Sequence, residues 1–200
     1  IFDECTSGFR RNLGGMHMTQ KVYPDLCMFG KALGNGYAIT AVIGRKKFMK
    51  KAEDSFISST FWTERVGFLA GLKTIEEMKK EKSWKKIINL GKFLNSKWLD
   101  LSKKYNLKIN ISGIESITSF NFDSKNNLKY KTYISQEMLK KGFLASNTVF
   151  LSSTHTKNII KKYIKNLEPI FKNISKFEKN NKIKFLKGPV CHTTFRRLND

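Results

Sequence analysis

The 200-residue sequence is short of acid: 16 Asp and Glu stand against 38 Lys and Arg, for a formal net charge of +22. It holds three cysteines, Cys5, Cys27 and Cys191, an odd number with no CxxC spacing. That excludes a disulfide framework and fits a reducing compartment, so a cytoplasmic protein is expected. There is no run of eighteen apolar residues, so no membrane span is expected. There is no zinc signature, so no metal is expected, and there is no internal repeat. The sequence has no initiator Met and opens inside what reads as a strand, "IFDECTSGF". The expectation is the C-terminal portion of a longer protein.

What is present is enough for a core. Hydrophobic residues make up 40% of the chain, which argues against wholesale disorder. The charge is uneven, +5 over residues 1–80 and +17 over residues 81–200. Such an excess can mark a nucleic-acid partner. The basic residues of the second part are almost all Lys, scattered among Asn and Ile, and no Arg-rich patch or RNA-binding motif accompanies them. Solvated helix faces account for them, and no nucleic-acid partner is expected.

Two regions follow from the patterning. In residues 1–80, residues 1–4, "DLCMFGKA" and "ITAVIGR" read as short buried strands, with a Gly-rich loop through residue 24 and a Gly34-Asn35-Gly36 turn. Short apolar strands between such loops predict the parallel sheet of an α/β domain. "RKKFMKKAE" reads as a short helix. Phe68, Leu69, Leu72, Ile75 and Met78 recur at helical period, and Gly67 and Gly71 would allow close packing there. After a break near residues 80–83, residues 81–180 read as helix-strand-strand-helix-strand-helix, an α+β domain. Thr154 or Thr156 is placed to cap the last helix. The tail "FLKGPVCHTTFRRLND" reads as extended.

Lys31 is out of place among these elements. It follows the apolar run Leu26–Phe29 and Gly30, with no charged residue within five positions on either side. Asp3 closes another apolar strand. Ligands of open α/β sheets bind beyond the carboxyl ends of the strands, so the two could face one crevice. A structural ion pair is one reading. The other is a nucleophilic amine in an apolar pocket with a carboxylate that holds a pyridine nitrogen protonated, the pattern of a pyridoxal phosphate site.

Three segments in order, "IFDECTSGFR", "PDLCMFGKALGNGYAITAVIGR" and "SSTFWTERVGFLAGLKTIE", resemble the class III aminotransferases, in particular the branch related to glutamate-1-semialdehyde aminomutase. The resemblance extends to "FLSSTHT". It implies a fold-type I pyridoxal-phosphate enzyme with an α/β fold, residues 1–80 closing the large cofactor-binding domain and residues 81–200 forming the small α+β domain. It implies amino transfer between a small-molecule donor and a carbonyl acceptor, in a homodimer with its sites at the interface. By position, Lys31 matches the Schiff-base lysine and proton shuttle, and Asp3 the partner of the pyridine nitrogen. Cys5 matches a residue, usually Val, packed on the ring face; plain strand packing would look the same. Thr60 matches the residue that binds the cofactor phosphate from the partner subunit; alternatively it caps a helix.

Some positions depart from the family. Ala38 replaces a frequent Pro, and "FWTER" replaces a Gly-rich segment. Asn147 stands where the aminomutase has a Glu that handles substrate. His155 reads as structural, and nothing in the sequence orients the adjacent Cys191 and His192. A basic nucleic-acid-binding module and a non-catalytic interaction fragment remain the competing classes.

Overall fold

The computed structural model describes residues 1–60, 63–180 and 186–193. The chain divides into two compact units, Ile1–Ile88 and Asn89–Asp200. Phe61 and Trp62 of the "FWTER" motif, and parts of the extended tail, lie outside the described residues.

The first unit holds a three-stranded sheet in the order β1-β2-β3, with β1 at Phe2–Asp3, β2 at Leu26–Phe29 and β3 at Ala41–Gly44. β1 runs parallel to β2, but β2 pairs antiparallel with β3. The sheet is therefore mixed, not parallel throughout. A parallel partner needs a crossover of a dozen or more residues, usually a helix. The link from β2 to β3 offers only a single 3-10 turn, Lys31–Leu33, and the glycine turn. Gly34 is required there, because a Cβ on it would run into the carbonyl oxygen of Tyr37. The loop before β2 contains a one-turn helix that the sequence pattern does not announce, α1 at His17–Gln20.

The short helix α2, Lys46–Met49, follows β3. The long helix α3, Arg65–Glu81, packs on the sheet unit through an unexpected face. Gly67 lies against the Ala38 carbonyl and Ile39, and Gly71 against Ile39 and Leu33. Met78 is buried and Ile75 partly so, while Phe68, Leu69 and Leu72 are exposed among the described residues. The glycines let the helix backbone approach closely, and this turns the larger apolar residues of its first half outward. α3 ends at Lys82, whose left-handed φ of 51° breaks the helix before α4, Ser83–Lys104.

The second unit follows the expected element order. Two strands, β4 at Ile109–Ile114 and β5 at Ile117–Phe122, form a hairpin, and β6 at Thr148–Phe150 joins β5 antiparallel. Helices α4, α5 at Asn127–Leu139 and α6 at Lys157–Asn180 supply the remaining apolar surface. The core is aromatic. Phe120 meets Trp98, Phe122 and Phe171 at ring separations of 4.7, 5.7 and 5.7 Å, a spacing that favours tilted and edge contacts. Trp98 is fully buried and its indole N–H donates to the Tyr163 hydroxyl at 3.3 Å. Of the two threonines before α6, Thr156 is the cap: its hydroxyl accepts from the Ile159 N–H at 3.2 Å.

Candidate functional site

The parallel pairing of β1 and β2 builds the site. Its register sets Asp3 opposite Met28, so the carboxyl ends of both strands open on one edge of the sheet. Asp3 ends β1, and Lys31 follows β2 by two residues. Burial on both sides of Lys31 fixes its segment. Cys27 and Phe29 ahead of it and Leu33 behind it form one small core, with Phe9, Ile39, Ala41 and Ile75 packed around. Phe9 and Phe29 meet edge to face at 5.4 Å. Period-two alternation puts Cys27 and Phe29 inward, and Gly30 then turns the chain.

Lys31 itself is exposed, contrary to the apolar pocket that Leu26–Phe29 suggests. Its backbone adopts a left-handed φ of 44°, which directs the side chain away from the core beneath it. Asp3 is exposed too, and the two are not joined as a buried ion pair. Lys31 Nζ donates instead to the hydroxyl of Thr6. Asp3 Oδ1 accepts the Cys5 backbone N–H at 2.9 Å. That hydrogen bond chiefly holds the Asp3 carboxyl below its usual range, and the positive charge of Lys31 adds to the effect. In return the Asp3 carboxylate pushes the Cys5 thiol up.

The loop carrying Cys5 and Thr6 is tied down by a residue that sequence reasoning passed over. Glu4 is 4% exposed. Its Oε1 accepts the His17 backbone N–H at 2.8 Å and contacts His17 Nδ1 at 2.7 Å, and its Oε2 accepts from Met16 N–H and Ser7 Oγ. Burial works against its charge, but these donors outweigh that and hold the carboxyl below its ordinary value. Thr6 was also missed. Its only signal was a hydroxyl three residues past Asp3.

Thr60 is exposed in the turn ahead of α3. It is not the helix cap, because the Glu64 side chain fills that place by accepting the Val66 N–H at 3.2 Å. In the second unit, Asn147 is buried, with its amide donating to the Phe120 carbonyl at 2.9 Å and to Asn121 Oδ1 at 3.1 Å. It fastens the approach to β6 onto β5. His155 Nδ1 accepts the Ser152 N–H at 3.1 Å, a turn contact that fits a structural role. The Cys191 N–H donates to Thr132 Oγ1 at 2.9 Å, which docks the tail on α5. Among the described residues no helix is long and apolar enough to cross a membrane.

A sheet edge with an exposed lysine and an ionised carboxylate at the ends of neighbouring parallel strands defines a class of amine-bearing α/β site. Residues 1–171 match the family "Aminotransferase class-III", and the chain belongs to that family. It is 37% identical over 114 residues to a 3-aminobutyryl-CoA aminotransferase of Cloacimonas acidaminovorans, covering 56% of this chain and 28% of that protein. It is 28% identical over 185 residues to a glutamate-1-semialdehyde 2,1-aminomutase of Methanosphaera stadtmanae, covering 84% of this chain and 44% of that one. Among solved structures it resembles the FumI protein of Sphingopyxis sp. MTA144 in its PLP internal aldimine form, with a TM-score of 0.80 at 22% identity over 88% of this chain and 43% of that chain. An omega-transaminase from Sphaerobacter thermophilus gives a TM-score of 0.78 at 18% identity, over 88% of this chain and 44% of that chain. The fold is that of the fold-type I transaminases. The chain spans less than half the length of these relatives.

Proposed function

We propose that the intact protein catalyses pyridoxal-phosphate-dependent amino transfer, with Lys31 as the residue that binds the cofactor covalently. The observation that carries this reading is the β1–β2 register, which sets the Asp3 carboxylate and the Lys31 amine at one sheet edge. The residues fit the cofactor by their own chemistry: an exposed primary amine, and a carboxylate kept ionised by the Cys5 N–H. When bound, the cofactor supplies an electron sink for the bond broken at the substrate carbon.

In this reading Asp3 faces the pyridine nitrogen and keeps a proton on it. Cys5 lies against the ring. The Thr6 hydroxyl orients Lys31 Nζ, which holds and moves the proton at the substrate carbon as a general base and then acid. Thr60 binds the cofactor phosphate across a homodimer interface. Residues 1–80 close the cofactor domain and residues 81–200 form the small domain. The substrates are a small-molecule amino donor and a carbonyl acceptor, and the compartment is the cytoplasm.

A second reading is the intramolecular transfer of a glutamate-1-semialdehyde 2,1-aminomutase, supported by relatives of that name over 84–88% of this chain. The buried amide of Asn147 weighs against it, because that side chain is spent on β5. An aminomutase turns over one substrate alone, whereas an aminotransferase stalls after half a reaction without an acceptor.

The test is borohydride reduction of the full-length protein with cofactor, followed by peptide mapping. A pyridoxyl group on Lys31 is expected, and Lys31→Ala should lose the cofactor's visible absorbance. A label on a different lysine overturns the assignment.

A further inference from the structure

One residue past Asp3, three side chains of different ligand types converge. A carboxylate oxygen of Glu4, Nδ1 of His17 and Sγ of Cys27 all lie within 4.8 Å of one another. Cys27 Sγ is 3.8 Å from Nδ1, and Glu4 Oε1 is 2.7 Å from it. Glu4 and Cys27 are 4% and 3% exposed. They come from three separate places: the residue just past β1, the start of α1 and the middle of β2. The amino-transfer reading uses none of them chemically.

Geometry decides between two uses of such a trio. A nucleophilic relay needs thiol and carboxylate on opposite ring nitrogens, so that the imidazole takes a proton on one side while the acid steadies the other. Here both contacts fall on Nδ1, so the ring cannot relay between them. Donor atoms gathered on one point are what a coordinated cation requires. With bonds of about 2.3 Å to sulfur and about 2.0–2.2 Å to nitrogen and oxygen, neighbouring ligand atoms of a tetrahedral site lie roughly 3.3–3.7 Å apart. The Cys27–His17 separation is already close to this length. The Glu4–His17 contact is a hydrogen bond, and it opens by roughly 0.7 Å once Nδ1 gives up its proton.

The carboxylate is held for this purpose from behind. Oε2 keeps its bonds from Met16 N–H and Ser7 Oγ, the kind of outer support that orients a ligating acid. We propose that Glu4, His17 and Cys27 form a binding site for one borderline-soft divalent cation of the zinc type, with water completing the coordination. One sulfur, one nitrogen and one oxygen suit such an ion and do not suit magnesium or calcium, which take oxygen ligands. Binding releases the Cys27 thiol proton to solvent and moves the imidazole proton from Nδ1 to Nε2, with no electron transferred. The spacing 4, 17, 27 matches no metal motif, so the sequence alone does not announce the site.

Cadmium(II) is the probe, because a cadmium–thiolate bond adds a charge-transfer absorption in the ultraviolet. The Cys5→Ser/Cys191→Ser double variant of this chain leaves Cys27 as its sole thiol and does not touch the cluster. On titration it should develop the band and saturate at one equivalent, with zinc(II) competing and excess magnesium(II) not. Cys27→Ser should show no band. His17→Ala should bind at least tenfold more weakly, with circular dichroism confirming an unchanged fold. Absence of the band in the double variant, or an unchanged cadmium affinity when His17→Ala is added to it, overturns the proposal.

Discussion

Lys31 donates through Nζ to the hydroxyl of Thr6, a residue on the loop that leaves β1. The two are 25 positions apart in sequence, and the parallel pairing of β1 with β2 brings them together. Neither the amine nor the hydroxyl is buried, so the contact orients Lys31 more than it stabilises the chain.

Thr6→Val should therefore leave thermal stability nearly unchanged and slow the capture of pyridoxal phosphate. A hydrogen bond to a charged group contributes about 1.5–3 kcal/mol, and exposure places this one at the low end, so a drop of about tenfold is expected. Stopped-flow absorbance on mixing apoprotein with cofactor measures it. Thr6→Ser should restore the rate, and a Thr6→Val rate equal to the parent's would remove Thr6 from the site.

Helix α4 touches the β4–β5 turn at one glycine. A Cβ at Gly91 would run into the backbone carbonyl of Glu115, and backbone cannot swing aside as a side chain can. Gly91→Ala should destabilise the second unit by about 1–3 kcal/mol, the usual range for overpacking, despite alanine's better helix propensity. Urea denaturation followed by Trp fluorescence reads the shift in midpoint.

Tyr163→Phe removes the acceptor of the buried Trp98 indole N–H. Leaving such a donor unpaired costs about 1–3 kcal/mol. The loss should appear in thermal unfolding with little change in the folded far-ultraviolet spectrum. An unchanged midpoint would mean that water reaches the indole.

Glu168 accepts from Lys104 Nζ at 2.5 Å and from Tyr105 Oη at 2.9 Å. The Lys104 bond first, and the Tyr105 bond after it, hold its carboxyl below the ordinary Glu value. A depressed folded-state pKa contributes stability that is present above the unfolded value and lost as pH falls through the folded one. The parent should thus exceed Glu168→Gln in stability at neutral pH, and the gap should close in acid below about 4.3, the ordinary Glu value. Unfolding midpoints of both proteins across that range provide the comparison. A gap that persists in acid would assign the effect to packing.

The second unit was legible because its periodicities are local. Ile159, Ile160, Tyr163, Leu167, Ile170 and Phe171 mark α6 at helical spacing, and Glu115 and Ser116 separate two alternating strands. The first unit was less so. Two short apolar runs do not reveal whether they pair parallel or antiparallel; that depends on how much chain must return between them. In α3 the largest apolar residues point out and the glycines point in, which hydrophobicity alone reverses. At the candidate site, the family segments point to Lys31 and Asp3. Glu4, Thr6 and His17 act through contacts across 13 to 25 positions, and no local pattern records such distances.

The left-handed backbone of Lys31 has a consequence for how this segment tolerates change. Such a φ suits glycine and costs other residues roughly 1–2 kcal/mol, and Lys31 adopts it between two buried anchors, Phe29 and Leu33. Foldability and chemistry pull in opposite directions at this one position. The exchange that would relax the chain most is the one that deletes its amine, so lysine persists there only while something selects for that amine.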